Sequence, residues 1–277
     1  MGPHAPHLAP SGRNDASQLG VARADDAPSL PANPAGVRRW AALALGPSHG
    51  AGVAGDGGVY TWGRADHGQL GAPPGPRRDA PGRVAILKGW DVRSVACGCE
   101  ESGRRGGGWK GGGLPRARPA PAPPPPPPPP PLSSEFTVAV TPDNVITWGR
   151  NDAGQCGQGE RSERGWVKPR SLKPLHGVRV AAVACGASHT LVVTATSHVY
   201  AWGANDRGQL GLGDTEARRA PTAVGGLWAL PVVALAAGDA HSAALTSNGF
   251  LFTWGDDAHG ALGLPAAADA AAAAAAA

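Results

Sequence analysis

The dipeptide Trp-Gly returns four times in this chain, at Trp62, Trp148, Trp202 and Trp254, each time inside the same run of text. The copies read VYTWGRADHGQLG, VITWGRNDAGQCG, VYAWGANDRGQLG and LFTWGDDAHGALG. Glycine follows the tryptophan by one residue (Gly63, Gly149, Gly203, Gly255), by six (Gly68, Gly154, Gly208, Gly260) and by nine (Gly71, Gly157, Gly211, Gly263). Successive tryptophans stand 86, 54 and 52 residues apart. Self-similarity near a fifty-residue period marks a repeat architecture, in which each unit buries its faces against its neighbours.

Upstream, Gly46, Gly186 and Gly238 each lie 16 residues before their tryptophan, and His49, His189 and His241 each lie 13 before. Between histidine and tryptophan, short β-favouring runs flank turn formers, as in HTLVVT, ATSH and VYAWG, and that pattern predicts a hairpin. Asp56-Gly57-Gly58, Pro142-Asp143-Asn144 and Ser247-Asn248-Gly249 are the corresponding turns, where Gly and Asn supply positive backbone torsions. Proline returns about twenty residues after the tryptophan, at Pro81, Pro169 and Pro221, ahead of another apolar run. Each unit therefore encodes about four short strands, the size of one propeller blade. The predicted fold is all-β: a β-propeller of four-stranded antiparallel blades, spanning residues 38–264. Tryptophan supplies buried area, and the glycine beside it permits close backbone approach. Both roles are architectural.

The repeated text resembles the regulator of chromosome condensation family, with its Gly-x-x-His…Val-Tyr-x-Trp-Gly-x-Asn-x-x-Gly-Gln-Leu-Gly pattern. The resemblance implies a seven-bladed ring whose sequence repeats are offset from its structural blades. Four repeats supply about four of the expected seven blades, so the predicted propeller is partial. The resemblance also raises the family's ultraviolet photoreceptors, but their Gly-Trp-Arg-His-Thr segment is absent; Gly165-Trp166-Val167 and Gly89-Trp90-Asp91 are poor substitutes.

Gly98 stands 50 residues before Trp148, which makes 34 residues surplus, and deleting 101–134 restores the spacing. That stretch is Gly/Arg-rich and then holds a nine-proline run, Pro123 to Pro131. A retained intron whose pyrimidine tract is read as proline accounts for it. A passive disordered loop and a polyproline II ligand for a proline-recognising domain are the alternatives. Residues 1–37 and the alanine-rich 265–277 are expected to be disordered by composition. No signal peptide or bilayer-length apolar run is seen, and no membrane partner is expected.

The formal charge of +4 suggests nucleic acid, but residues 103–134 alone carry five basic residues and no acid; without them the balance is −1. A DNA-binding face is therefore not expected. Gly50 to Gly55 matches the dinucleotide fingerprint G-x-G-x-x-G, yet a turn and a strand follow it instead of a helix. The three histidines could ring an axis and hold a metal, but hydrogen-bonded packing is the better expectation. Cys97-x-Cys99 lacks a second pair, and Cys156 and Cys185 are isolated, so all four cysteines are read as reduced thiols of an intracellular protein, cytoplasmic or nuclear. Asp66, Asp152, Asp206, Asp256 and Asp257 recur as turn residues. No nucleophile, base and orienting acid can be nominated, so enzyme chemistry and cofactors are not expected.

The leading functional expectation is a non-enzymatic protein-binding scaffold or regulatory module, since propellers present variable loops on a rigid frame. The alternative is guanine-nucleotide exchange on a small GTPase, the activity of the family's founding member.

Overall fold

A computed structural model describes residues 39–98, 135–159, 162 and 164–263. The expectations for 1–37, for the insert 101–134 and its intron or polyproline reading, for Cys99, and for 265–277 fall outside these residues.

Among the described residues, fifteen strands form four antiparallel sheets, each a simple meander in which spatial order follows chain order. The first holds β1 (Trp40–Leu45), β2 (His49–Ala54), β3 (Val59–Gly63) and β4 (Arg78–Arg83). The second holds β5 (Ser94–Cys97), β6 (Phe136–Val140), β7 (Val145–Arg150) and β8 (Trp166–Ser171). In the third are β9 (Val180–Cys185), β10 (His189–Thr194), β11 (Val199–Gly203) and β12 (Arg218–Ala223). The fourth has three strands among the described residues, β13 (Val232–Ala237), β14 (His241–Thr246) and β15 (Leu251–Gly255). These are propeller blades. β1, β5, β9 and β13 touch one another in sequence and so are the inner strands. Residues 49–54 are strand β2, which removes the helix that a dinucleotide fingerprint needs.

Burial reports the stacking. Every residue of β2, β6 and β10 is buried, because alternate side chains enter the interfaces on either side. One cluster joins Ala51, Val53 and Val59 to Ala139, Ile146 and Trp148; a second joins Phe136, Val138 and Val145 to Val192 and Trp202. A third joins Leu191, Val193 and Val199 to Val232 and Ala244. In β14 only alternate residues are fully buried, and Leu245 and Leu251 are 41% and 66% exposed. Their counterparts Val193 and Val199 are 0% exposed.

The recurring prolines Pro81, Pro169 and Pro221 lie in β4, β8 and β12, the outer edge strands. Lacking an N–H, proline blunts an edge that would otherwise pair with another chain. A single 3₁₀ turn then leads toward the next inner strand and buries Leu87, Leu175 or Leu227 beneath it.

The second unit departs from the spacing read in the sequence. Gly98 N–H donates to Phe136 O just as Gly46, Gly186 and Gly238 donate to His49, His189 and His241. Phe136 therefore occupies the histidine position, and it pairs with Gly149 as His189 pairs with Gly203. Val140 pairs with Val145, whereas Val193 pairs with Val199, so this hairpin is one residue shorter. The insert correspondingly adds one residue more than the 34 counted back from Trp148, and the two offsets cancel.

Candidate functional site

Three of the four repeated tryptophans and two of the three histidines bond at the seams between blades. Trp148, Trp202 and Trp254 donate through Nε1 to the carbonyls of Gln69, Gln155 and Gln209 on the preceding blade, at 2.8, 2.9 and 2.9 Å. The same three carbonyls accept from Thr137, Thr190 and Ser242 hydroxyls at 3.1, 3.0 and 2.7 Å. His49 Nε2 meets Thr137 Oγ1, and His189 Nε2 meets Ser242 Oγ, both at 2.9 Å. Since each hydroxyl has one proton and gives it to the glutamine carbonyl, the imidazole Nε2 must be the donor. That leaves Nδ1 without a proton, and neither His49 Nδ1 nor His189 Nδ1 has a hydrogen-bond partner among the described residues. Burial pushes both imidazoles down to about 4; for His189 the neighbouring His241 adds to the effect. At neutral pH these are uncharged hydrogen-bonding groups. In the second blade Phe136 replaces the histidine, and Thr190 keeps only its bond to Gln155 O.

Glutamine side chains fix their own loops. Gln69 Oε1 accepts from His67 N while its amide donates to Asp66 Oδ1; Gln155 does the same with Ala153 and Asp152, and Gln209 with Arg207 and Asp206. Asp257 accepts from Leu262 N, and Asp256 from Ala258 N. The recurring aspartates are thus turn residues. These glutamines were missed in the sequence, although Gly-Gln in three copies was their visible signal.

Two glycine positions are fixed by geometry. Gly63, Gly149, Gly203 and Gly255 have φ between 99° and 108°, and a Cβ on Gly149 would stand 2.5 Å from Glu135 O. A Cβ on Gly157 or Gly211 would stand 2.7 or 2.9 Å from the indole nitrogen of Trp202 or Trp254. Gly71 packs below Trp148 in the first seam. Gly68 and Gly154 lie against Trp166 and Arg219 of the next outer strand, while Gly208, Gly260 and Gly263 face open space with positive φ.

Across the first seam, Glu135 pairs with Arg64 at 3.2 Å and with His67, beside Asp66. Asp66, His67 and Glu135 place ligand atoms within 4.8 Å of one another, but the Arg64 guanidinium already supplies the cation. Cys97, Cys156 and Cys185 are buried; Cys97 donates to Ala44 O and Cys156 to Arg150 O. Burial raises the Cys156 thiol well above its ordinary range, which makes it a poor nucleophile.

The exposed residues also differ between blades. Trp90 is 39% exposed and divides two clefts, one of about 510 Å³ with Lys88, Asp91, Pro142, Asp143 and Asn144, the other of about 220 Å³ with Asp56, Gly58 and Arg83. On the third blade Trp228 is 58% exposed and meets His198 edge-on. No helix among the described residues is long and apolar enough to cross a membrane.

Family models for the regulator of chromosome condensation (RCC1) repeat match residues 56–102, 143–193 and 197–245, and a second of that name matches 180–209 and 232–261. The ultraviolet-B receptor UVR8 of Arabidopsis thaliana is 32% identical over 229 residues, covering 82% of this chain and 44% of the receptor. The human E3 ubiquitin-protein ligase HERC2 is 33% identical over 269 residues, 86% of this chain but 6% of the ligase. Among solved structures, human WBSCR16 superposes with a TM-score of 0.66 at 22% identity, covering 91% of this chain and 57% of that one. Saccharomyces cerevisiae Prp20p does so at 0.62 and 22%, covering 83% and 49%. The chain thus spans less than half the length of these curated relatives. With its repeat matched over more than half of its length and its blades shared with these structures, the chain belongs to the regulator of chromosome condensation repeat family.

Proposed function

We propose that this chain is a non-enzymatic, regulatory protein-binding module, residues 38–264 forming the propeller portion and the exposed loops forming the contact surface. One observation carries the reading: the residues repeated from blade to blade are spent on seams and loops, while the exposed aromatic and charged residues differ at equivalent positions. A frame held by repeated buried groups leaves its faces free to vary. The protein partner is of unknown identity, and an intracellular setting suits a chain with few, irregularly spaced cysteines.

Exchange of guanine nucleotide on a small GTPase is the second reading. It is favoured by Prp20p, whose structure was described with its binding to Gsp1p and histones. Titrating the chain against a small GTPase loaded with fluorescent nucleotide separates the two. Equilibrium binding without faster release supports the scaffold; release accelerated with chain concentration supports exchange. No binding to the GTPase removes exchange and directs the partner search elsewhere.

A further inference from the structure

The outer strand of the second blade and the segment that leads from it into the third carry a run of positive charge. Lys168 and Arg170 lie in β8, Lys173 opens the 3₁₀ turn after it, and Arg179 precedes β9. All four are exposed, none forms an ion pair among the described residues, and no acid occurs between 164 and 179. The charges are unnecessary to the blade. Strand pairing aligns Arg170 with Gly82 and Thr222, and the proline beside it with Pro81 and Pro221. Lys168 then corresponds to Ala80 and Ala220, Lys173 to Ala85 and Gly225, and Arg179 to Asp91 and Pro231. The first and third blades thus build the same strand, turn and seam with neutral residues or an acid at these places. The described acids nearby make their bonds elsewhere. Asp143, whose carbonyl accepts from Gly177 N, has its carboxylate engaged by Thr141 and Asn144. Arg218 on the facing outer strand is paired with Asp214, and Arg219 beside it is a further cation.

We propose that this strip docks an acidic, extended polypeptide segment. Lys168 and Arg170 are both exposed and flank the half-buried Pro169 in this strand, so an extended segment laid along the edge meets two cations in succession. Pro169 between them withholds an N–H, so recognition falls to side-chain charge instead of strand addition. A nucleic-acid partner is disfavoured because four cations are fewer than the roughly six to ten phosphate contacts typical of a DNA-binding face. The proposal rests on the protein-binding reading and gives it a surface and a partner chemistry.

The test uses the full chain, a fluorescent peptide of alternating Glu and Ser, and a fluorescent DNA duplex of similar charge. Wild type should bind the peptide with an affinity that falls as salt rises. K168E/R170E and K173E/R179E should each weaken it about tenfold or more, while R77E/R83E on the first blade's outer edge should change it less than about twofold. Unchanged circular dichroism and melting temperature certify the fold of each variant. Absence of peptide binding by wild type, or equal losses in all three variants, overturns the strip. So does duplex binding that is tighter than peptide binding and equally sensitive to the same reversals. Any of these results leaves the protein-binding reading to the GTPase titration, which does not depend on this strip.

Discussion

Trp202 on the third blade donates its indole proton to the Gln155 carbonyl of the second at 2.9 Å, and Thr190 from the third blade donates to the same oxygen at 3.0 Å. One buried backbone acceptor is thus shared by two donors of the neighbouring blade, which satisfies both of its lone pairs. Trp202→Phe should leave an unfilled lone pair and cost about 1–2 kcal/mol, whereas Trp202→Ala should cost about 3–5 kcal/mol through the cavity it opens. Urea unfolding of the two variants measures the difference. A Phe variant as unstable as the Ala variant would show that the hydrogen bond, more than packing, closes the seam.

Glycines at two repeated positions should answer oppositely to substitution. Gly203 has φ of 108° and any Cβ there collides with the Ser188 carbonyl, so Gly203→Ala should cost about 3 kcal/mol or more. Gly208 has φ of 74° with open space beyond it, and Gly208→Asn should cost under about 1 kcal/mol, since Asn tolerates that conformation. Melting temperatures of both variants decide this, and equal losses would refute it.

Acid should loosen the seams before it reaches the carboxylates. His49 and His189 have folded values near 4, below the ordinary 6.5, so between those limits the unfolded chain binds more protons and stability rises with pH. The stabilisation is complete above about 6.5 and is lost as pH falls toward about 4, up to roughly 3 kcal/mol for each histidine. Asp152, held low by Arg150 and Gln155 against the opposing effect of burial, loses its contribution below its ordinary 3.8, beneath that window. Unfolding free energies at pH 7.5 and 4.5 should differ by several kcal/mol, and His189→Gln should remove about half of the difference. A flat profile in wild type would mean that the imidazoles are hydrated.

The exposed face of the last described blade offers a control on position. Val199→Ser buries a hydroxyl at a fully enclosed site and should cost about 3 kcal/mol, while the equivalent Leu251→Ser, at 66% exposure, should cost under about 1 kcal/mol. Chemical denaturation of each variant checks both figures. A large loss from Leu251→Ser would show that something covers this face in solution.

The tryptophan and glycine register carried the fold into the sequence because both residues are demanded at fixed places: an indole that must lie on a Cα without a Cβ in the preceding repeat, and next to the tryptophan a backbone with φ near 100°. The outer-strand prolines were equally legible, though as punctuation. The seam acceptors were not, since a backbone carbonyl leaves no mark on residue identity; only the Gln side chain that shapes the loop hinted at Gln69, Gln155 and Gln209. The hydroxyls of Thr137, Thr190 and Ser242 read as ordinary strand residues. Phe136 was hidden because a hairpin shortened by one residue offset an insert lengthened by one, and counting from Trp148 sees only the sum. The partner surface was the least legible, because residues that vary between units carry no periodic signal.

That hidden position gives the sharpest test of the seam. Phe136 occupies the histidine site of the second blade, is fully buried, and belongs to the cluster containing Val138, Val192 and Trp202. In the first and third blades the corresponding imidazole reaches the hydroxyl on the following blade, which here is Thr190. Phe136→His should place a third neutral imidazole in that geometry, donating through Nε2 to Thr190 Oγ1. At pH 7.5 the lost apolar area should outweigh the new bond, for a net loss of about 1–2 kcal/mol. Between about 6.5 and 4 the pH dependence of stability should steepen by about half, from two titrating imidazoles to three. A variant that loses stability at pH 7.5 but keeps the wild-type slope would show that the imidazole at 136 is solvated, and that the second seam is built differently from its neighbours.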